Sequence, residues 1–322
     1  MSVPELPPNI WANVSASPST AARNLGWDED GFNNLLLRVA DFFLHRGFHL
    51  LWGHDWREDG VMRAVADQVE KRMPVTADSR SDTMPKMLNI CPQPLGEIHP
   101  SGTKAVEDSG GVLQVFSIAS RSAIRLQSGT TGWEKRLAAG PLRLASDAML
   151  SDPVGRNWLL RKMMTRFLGR GVRLCIGGRL QGFSGIYPGV AEEAVLTLLA
   201  DQPLYVLGGW GGASAAVAKY LTDTPDAIYL ESVAEAELEA NLPAQGLSAE
   251  HVRLAKKMRL PLDGLGDLIA SRRQVFQPEN QPFGRNGLSE NDNKRLFITT
   301  DIEEALHLVD RGIRQLLVSG QM

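Results

Sequence analysis

An α/β fold, with a mostly parallel sheet flanked by helices on both faces, is what this sequence predicts, and three observations predict it. Short apolar runs alternate with stretches of helical periodicity over residues 9–72. The alternation returns over residues 152–220. Glycine-rich turns lie between strand-like and helical stretches, and the β-α-β-α order is the signature of a parallel sheet covered by helices.

Taken in order, residues 9–17 (NIWANVSAS) read as a strand running into a turn of small residues. Phe32, Leu35, Leu36, Val39, Phe42 and Phe43 recur on one helical face, and Gly47 supplies the stop. Phe48 to Trp52 form a short apolar strand ending in Gly53-His54-Asp55, and an amphipathic stretch follows near 60–72. Over 73–150 Pro, Gly and Ser interrupt the pattern, and Met87 to Cys91 and Val112 to Ile118 have strand character. Asp152-Pro153 then sets an N-cap residue before a proline at the first helical position. Trp158, Leu160, Met164, Phe167 and Leu168 ride that helix, which Gly171 ends.

Val172 to Ile176 predict a strand, Pro188 to Ala200 a helix, Leu204 to Leu207 a strand and Ala213 to Tyr220 a helix. Past about residue 222 the sheet signal fades, and 277–293 is polar and rich in turn formers, a loop or lid. Leu296 to Thr299 read as a last strand, and Thr300 with Glu303 as a capping box. Ile302, Leu306, Val309, Ile313 and Leu317 make one apolar face of a closing helix. The whole, 1–322, is taken as a single domain with a less regular insert over about 73–150 and a helical or lid segment over about 222–293.

Composition narrows the function classes. The chain is 43% hydrophobic and 22% charged, ordinary for a globular protein. A net charge of -3 gives no overall drive toward nucleic acid or anionic lipid. Cys91 and Cys175 match no metal spacing and read as reduced thiols of a cytoplasmic protein. The opening residues MSVPELPPNIW carry no basic or apolar signal region, and no apolar run approaches the roughly 20 residues of a membrane span. The six histidines give no metal cluster: His45 and His49 are four apart, with Gly47 between them at a helix end. No Walker A sequence and no Gly-x-Ser-x-Gly elbow occurs, which argues against a P-loop NTPase and a serine hydrolase.

The chemistry is carried by CIGGRLQGFSGIYPGVAEEA, residues 175–194. Gly177, Gly178, Gly182, Gly185 and Gly189, with Pro188, join a buried strand to a buried helix. Such a loop exposes backbone N–H groups at a helix N-terminus, which suits a phosphate. A second loop follows at Gly208, Gly209, Trp210, Gly211 and Gly212, and a third is Gly53, His54 and Asp55. All three are expected at one rim, at the carboxyl ends of the strands, where open sheets bind ligands. Residues 209–214 only approximate a dinucleotide fingerprint, with Ser214 in place of the third glycine. Arg179 is a phosphate clamp or a structural arginine; Trp210 stacks on a base or covers the core. Glu192 and Glu193 complement the helix dipole, worth about 0.3–1 kcal/mol each. Adjacent on a helix they point about 100° apart, so one lies along the surface while the other faces whatever the loop surrounds.

Gly177-Gly178-Arg179, Gly182, Gly185, Pro188-Gly189-Val190-Ala191-Glu192-Glu193-Ala194 and Gly208-Gly209-Trp210-Gly211-Gly212 resemble the SLOG superfamily. The resemblance is strongest to its prokaryotic branch related to the N-terminal domain of TRPM channels; Arg161 to Thr165 and Leu296 to Gly312 resemble the same branch. It implies a Rossmann-like sheet that binds nucleotides or their derivatives: ADP-ribose in TRPM relatives, and NAD-derived signals in bacterial conflict systems, including anti-phage defence. The LOG enzymes of the superfamily hydrolyse the N-glycosidic bond of nucleoside monophosphates and carry Pro-Gly-Gly-x-Gly-Thr before two glutamates. Here Pro188-Gly189 leads straight to Val190-Ala191-Glu192-Glu193, without the Gly-x-Gly-Thr cradle. A further branch, DprA, binds single-stranded DNA, which the net charge does not support.

Three readings stand at this point. In the first the chain is a sensor of an NAD-derived nucleotide of the ADP-ribose or cyclic ADP-ribose type. Gly177, Gly178 and Gly189 then offer backbone donors, Arg179 charge, Trp210 a place near base or ribose, and Glu192 or Glu193 an acceptor for ribose hydroxyls. In the second it is an N-glycosidase acting on a nucleotide or NAD, with Glu192 and Glu193 as catalytic carboxylates. In the third the glycines only pack tightly. The expected partner is a nucleotide-derived small molecule, with room for a homo-oligomer or an effector; membrane, nucleic acid, metal and an obligatory cofactor are not expected.

Overall fold

The computed structural model describes residues 6–7, 9–18, 20–24, 26–53, 56, 61–72, 85–92, 113–118, 137, 141, 145–222, 249–258, 265–276 and 283–322. Six strands form one parallel sheet: β1 (Trp11–Ser17), β2 (His49–Gly53), β3 (Met87–Cys91), β4 (Leu113–Ser117), β5 (Val172–Gly177) and β6 (Leu204–Leu207), in the order β4-β3-β2-β1-β5-β6. The α/β, Rossmann-like expectation is met. Both strands expected within 73–150 are present, and pair in parallel from Met87↔Leu113 to Cys91↔Ser117.

The helices are α1 (Thr20–Asn24), α2 (Glu29–His45), α3 (Met62–Arg72), α4 (Asp147–Ser151), α5 (Pro153–Leu168), α6 (Gly189–Leu199), α7 (Gly212–Leu221), α8 (Ala249–Met258), α9 (Leu265–Ala270), α10 (Glu290–Ile298) and α11 (Ile302–Val318). The chain packs as two compact units. One holds Val14–Phe32 and Arg170–Met322, the other Leu6–Asn13 and Asn33–Gly169. Strand β1 gives its first three residues to the second unit and its last four to the first. Among the described residues no helix is long and apolar enough to cross a membrane.

In the second unit, β2 and β3 are buried along nearly their whole length, which is why His49–Gly53 and Met87–Cys91 are mostly apolar rather than alternating, with His49 and Asn89 as buried polar exceptions. Asp152 caps α5 as the sequence predicts, its carboxylate accepting from the Gly155 amide at 2.9 Å, with Pro153 at the first helical position. That helix ends earlier than expected, at Gly169, whose φ of 59° makes it the stop in place of Gly171.

In the first unit, α6 packs on β5 and β6, and α7 packs on both strands as well. The C-terminal part departs from the expectation. Leu296 to Ile298 are not a strand but the last turn of α10, which begins inside the stretch expected to be a loop or lid. Ser289 caps it by accepting from the Asp292 amide at 3.1 Å, and Lys294 pairs with Glu290 at 2.6 Å one turn apart. Nor is Thr300 the cap of α11. Asp301 accepts from the amides of Glu303 (2.9 Å) and Glu304 (3.4 Å), while the Thr299 hydroxyl donates to Glu304 at 2.6 Å. Asp301→Ala should therefore lower stability by about 0.5–2 kcal/mol, and Thr300→Ala by much less, in paired chemical denaturations.

Candidate functional site

Two of the three glycine loops meet in the first unit, and Gly178 is where they meet. It ends the extension of β5 with φ 100°, following Gly177 at φ 64°. Its N–H donates to the Ser17 carbonyl at the end of β1 (2.8 Å), and its own carbonyl accepts the N–H of Ala213 in the first turn of α7 (3.0 Å). A Cβ on Gly178 would stand 2.9 Å from the Cβ atoms of both Ala213 and Val190, the latter in the first turn of α6. The N-termini of α6 and α7 thus converge on one residue.

Neither helix is capped by a side chain there: Pro188 precedes α6 and Gly211 precedes α7. Elsewhere the chain spends carboxylates and hydroxyls on helix starts, with Asp28 accepting from Gly31 N at 2.7 Å ahead of Phe32, Asp152 on α5, Ser289 on α10 and Asp301 on α11. At the two glycine loops the first-turn amides of Gly189, Val190, Ala191 and Gly212 lack acceptors within their own helices. The positive ends of two helix dipoles add at that point. Arg179, next in the chain, is exposed; its N–H donates to the Ser17 hydroxyl at 3.3 Å, and its guanidinium makes no ion pair among the described residues. The arrangement can hold an anion with at least one phosphate.

The remaining expected site residues are placed differently. Gly182 has open space around it, with φ 64°, and Gly185 is buried. Gly208 and Gly209 are buried, and the space of their missing side chains is filled by the chain's own carbonyls, that of Phe297 against Gly208 and those of Ile298 and Thr299 against Gly209. Trp210, in the 3₁₀ turn Gly208–Trp210, is wholly buried, with Trp27 tilted against it at 6.0 Å between ring centroids. Gly53 lies in the second unit, where Met164 and Leu160 occupy the place of a side chain. His54 and Asp55 lie outside the described residues.

The two carboxylates have different surroundings, and neither lies along the surface. Glu192 is fully buried. Glu193 turns toward β5 and β1: Arg173 Nη1 sits 3.3 Å from its carboxylate and donates to its main-chain oxygen at 3.0 Å, while the Ser15 hydroxyl donates to the same carboxylate. Arg173 is itself completely buried. Beside this cluster burial pushes the Cys175 thiol up to about 12, so it is no nucleophile near neutral pH. No group of three or more His, Cys, Asp or Glu among the described residues is placed to hold a metal ion.

Ser15, Ser17 and Arg173 are the residues the sequence reading overlooked. A signal for each exists: small hydroxyl residues two apart at the end of β1, which share a face of the strand, and one arginine inside the apolar run VRLCIG.

No curated protein and no solved structure matches the chain. The family model described as SLOG cluster2 matches residues 9–296, a span that takes in β1, both glycine loops and their helices. The chain belongs to the SLOG superfamily, in the family described as SLOG cluster2.

Proposed function

We propose that this protein binds an NAD-derived nucleotide of the ADP-ribose or cyclic ADP-ribose type, as a sensor in a bacterial conflict or signalling system, along the TRPM-related branch that its loop motifs resemble. One observation carries the reading: two helix N-termini without side-chain caps converge on Gly178, beside the exposed Arg179. Two phosphates linked together present acceptors to two sets of amides at once, and a guanidinium adds paired donors to the same charge. No cofactor is required. Sensing is favoured over N-glycoside hydrolysis by the state of the carboxylates. Glu193 is taken up by Arg173 and Ser15, and Glu192 is buried, so neither is presented as an acid or base to a bound sugar.

Calorimetry with ADP-ribose, cyclic ADP-ribose and NAD tests the proposal, with the ligand recovered and analysed afterwards. Saturable binding of at least one, recovered intact, is the expected result. Absence of heat from all three at millimolar concentration would refute the binding reading, and release of free base would move the protein to the N-glycosidases. Arg179→Ala should weaken binding about 10- to 100-fold, the equivalent of about 1.5–3 kcal/mol for a charged hydrogen bond, while leaving the melting temperature within a degree or so of wild type, since the residue is exposed.

A further inference from the structure

We propose that Trp27 is the platform on which the base of the bound nucleotide stacks, with Trp210 as the rigid backing behind it; the inference rests on the nucleotide reading above. Trp210 is the indole the sequence points to, yet its ring is fully buried and has no face to offer. Trp27 is half-buried and tilted against it, ring centroids 6.0 Å apart and planes at 55°. A partly exposed aromatic ring backed by a second, buried one is suited to stacking, because any base presents a π-face.

Trp27 is also held in place. Its N–H donates to the Ala22 carbonyl at 3.0 Å, and the next residue, Asp28, accepts twice from the start of α2: its carboxylate from the Gly31 N–H at 2.7 Å and its carbonyl from the Phe32 N–H at 2.9 Å. The short segment from Trp27 to Phe32 therefore touches both glycine loops of the first unit. Phe32 lies against Gly177, its ring carbons 3.0 and 3.1 Å from where a Cβ would be, while Trp27 lies against Trp210. Trp210 precedes Ala213 by three residues, a chain span of at most about 11 Å, and the Ala213 methyl packs at Gly178. A partly exposed indole thus stands on the same short segment whose Phe32 packs at Gly177, the residue before the junction assigned to the phosphates. A ligand made of a flat base joined to a diphosphate fits that pair of features; one lacking the base would use only the junction.

The test compares wild type, Trp27→Ala and Trp27→Phe, each checked for folding by circular dichroism, for binding of ADP-ribose and of inorganic pyrophosphate. Trp27→Ala should weaken ADP-ribose at least about 10-fold and leave pyrophosphate unchanged, and Trp27→Phe should recover most of the loss. Wild-type tryptophan fluorescence should be quenched by ADP-ribose and not by pyrophosphate, with the quench diminished in Trp27→Phe. Equal weakening of both ligands in Trp27→Ala, or of neither, would overturn the stacking role while leaving the nucleotide reading standing. Where Trp27→Ala does not fold, an unchanged ADP-ribose quench in Trp27→Phe overturns it instead. A wild-type protein that binds neither ligand would refute the nucleotide reading and this inference with it.

Discussion

Glu193→Gln is expected to cost about 3–5 kcal/mol of folding stability, far more than a surface ion pair would. The reason is the burial of its partner. The Arg173 side chain is 0% exposed and the Glu193 side chain 13%, with 3.3 Å between guanidinium nitrogen and carboxylate oxygen. A charge that has left water is tolerable only while its counter-charge is present. Glutamine keeps an oxygen that can accept from Ser15, but it removes the negative charge, so the guanidinium loses the carboxylate set against it. Chemical denaturation should show a lowered midpoint with an unchanged slope, the sign of a native-state effect. The double variant Arg173→Met with Glu193→Leu should regain most of the loss, because apolar side chains of similar size need no counter-charge. Single variants within about 1 kcal/mol of wild type would contradict this account. The prediction also bears on function. A loss of any activity in Glu193→Gln cannot by itself assign Glu193 to chemistry, since the same substitution loosens α6 from the sheet.

That cluster illustrates what local sequence can and cannot disclose. β5 and β6 were legible because strands covered on both faces are mostly apolar, and Val172 to Gly177 is apolar apart from one residue. The exception, Arg173, is explained by Glu193, a partner on another element that no periodicity links to it and that Ser15 also holds. The misreading at Leu296 to Thr299 has a different origin. Phe, Ile and Thr in succession have strand propensity, yet propensity is a weak prior beside a cap at Ser289 and a buried set at Asp292, Asn293, Leu296 and Phe297, which is one helical face. In the candidate site the glycines were visible but not their separate purposes. Gly178 marks the meeting of two helices, whereas Gly208 and Gly209 admit the backbone of residues 297–299, a distant segment. Likewise the sequence exposes a tryptophan in a glycine loop, but only the fold shows that Trp210 is the covered ring and Trp27 the partly exposed one beside it.

Gly178→Ala should be the most informative change at the junction, with Gly182→Ala as its control. Both glycines have positive φ, 100° and 64°, so alanine is strained at either, by about 1–3 kcal/mol. Gly182 has nothing within 4 Å of an added Cβ, and strain is its whole cost. At Gly178 the methyl would press on Ala213 and Val190 at 2.9 Å, adding about 1–3 kcal/mol of overpacking, for a total of about 2–6. Neither neighbour is the far end of a flexible chain: both are Cβ atoms fixed to the first turns of helices. Relief therefore requires α6 and α7 to move apart. The same movement separates the two sets of amides that are to grip the diphosphate, so Gly178→Ala should also weaken ADP-ribose by about 10-fold or more, whereas Gly182→Ala should bind as wild type does once folded. Thermal melting and calorimetry on the two variants read both effects. If they melt alike and bind alike, the helix starts do not converge on a shared anion, and the geometric basis of the proposed site is wrong.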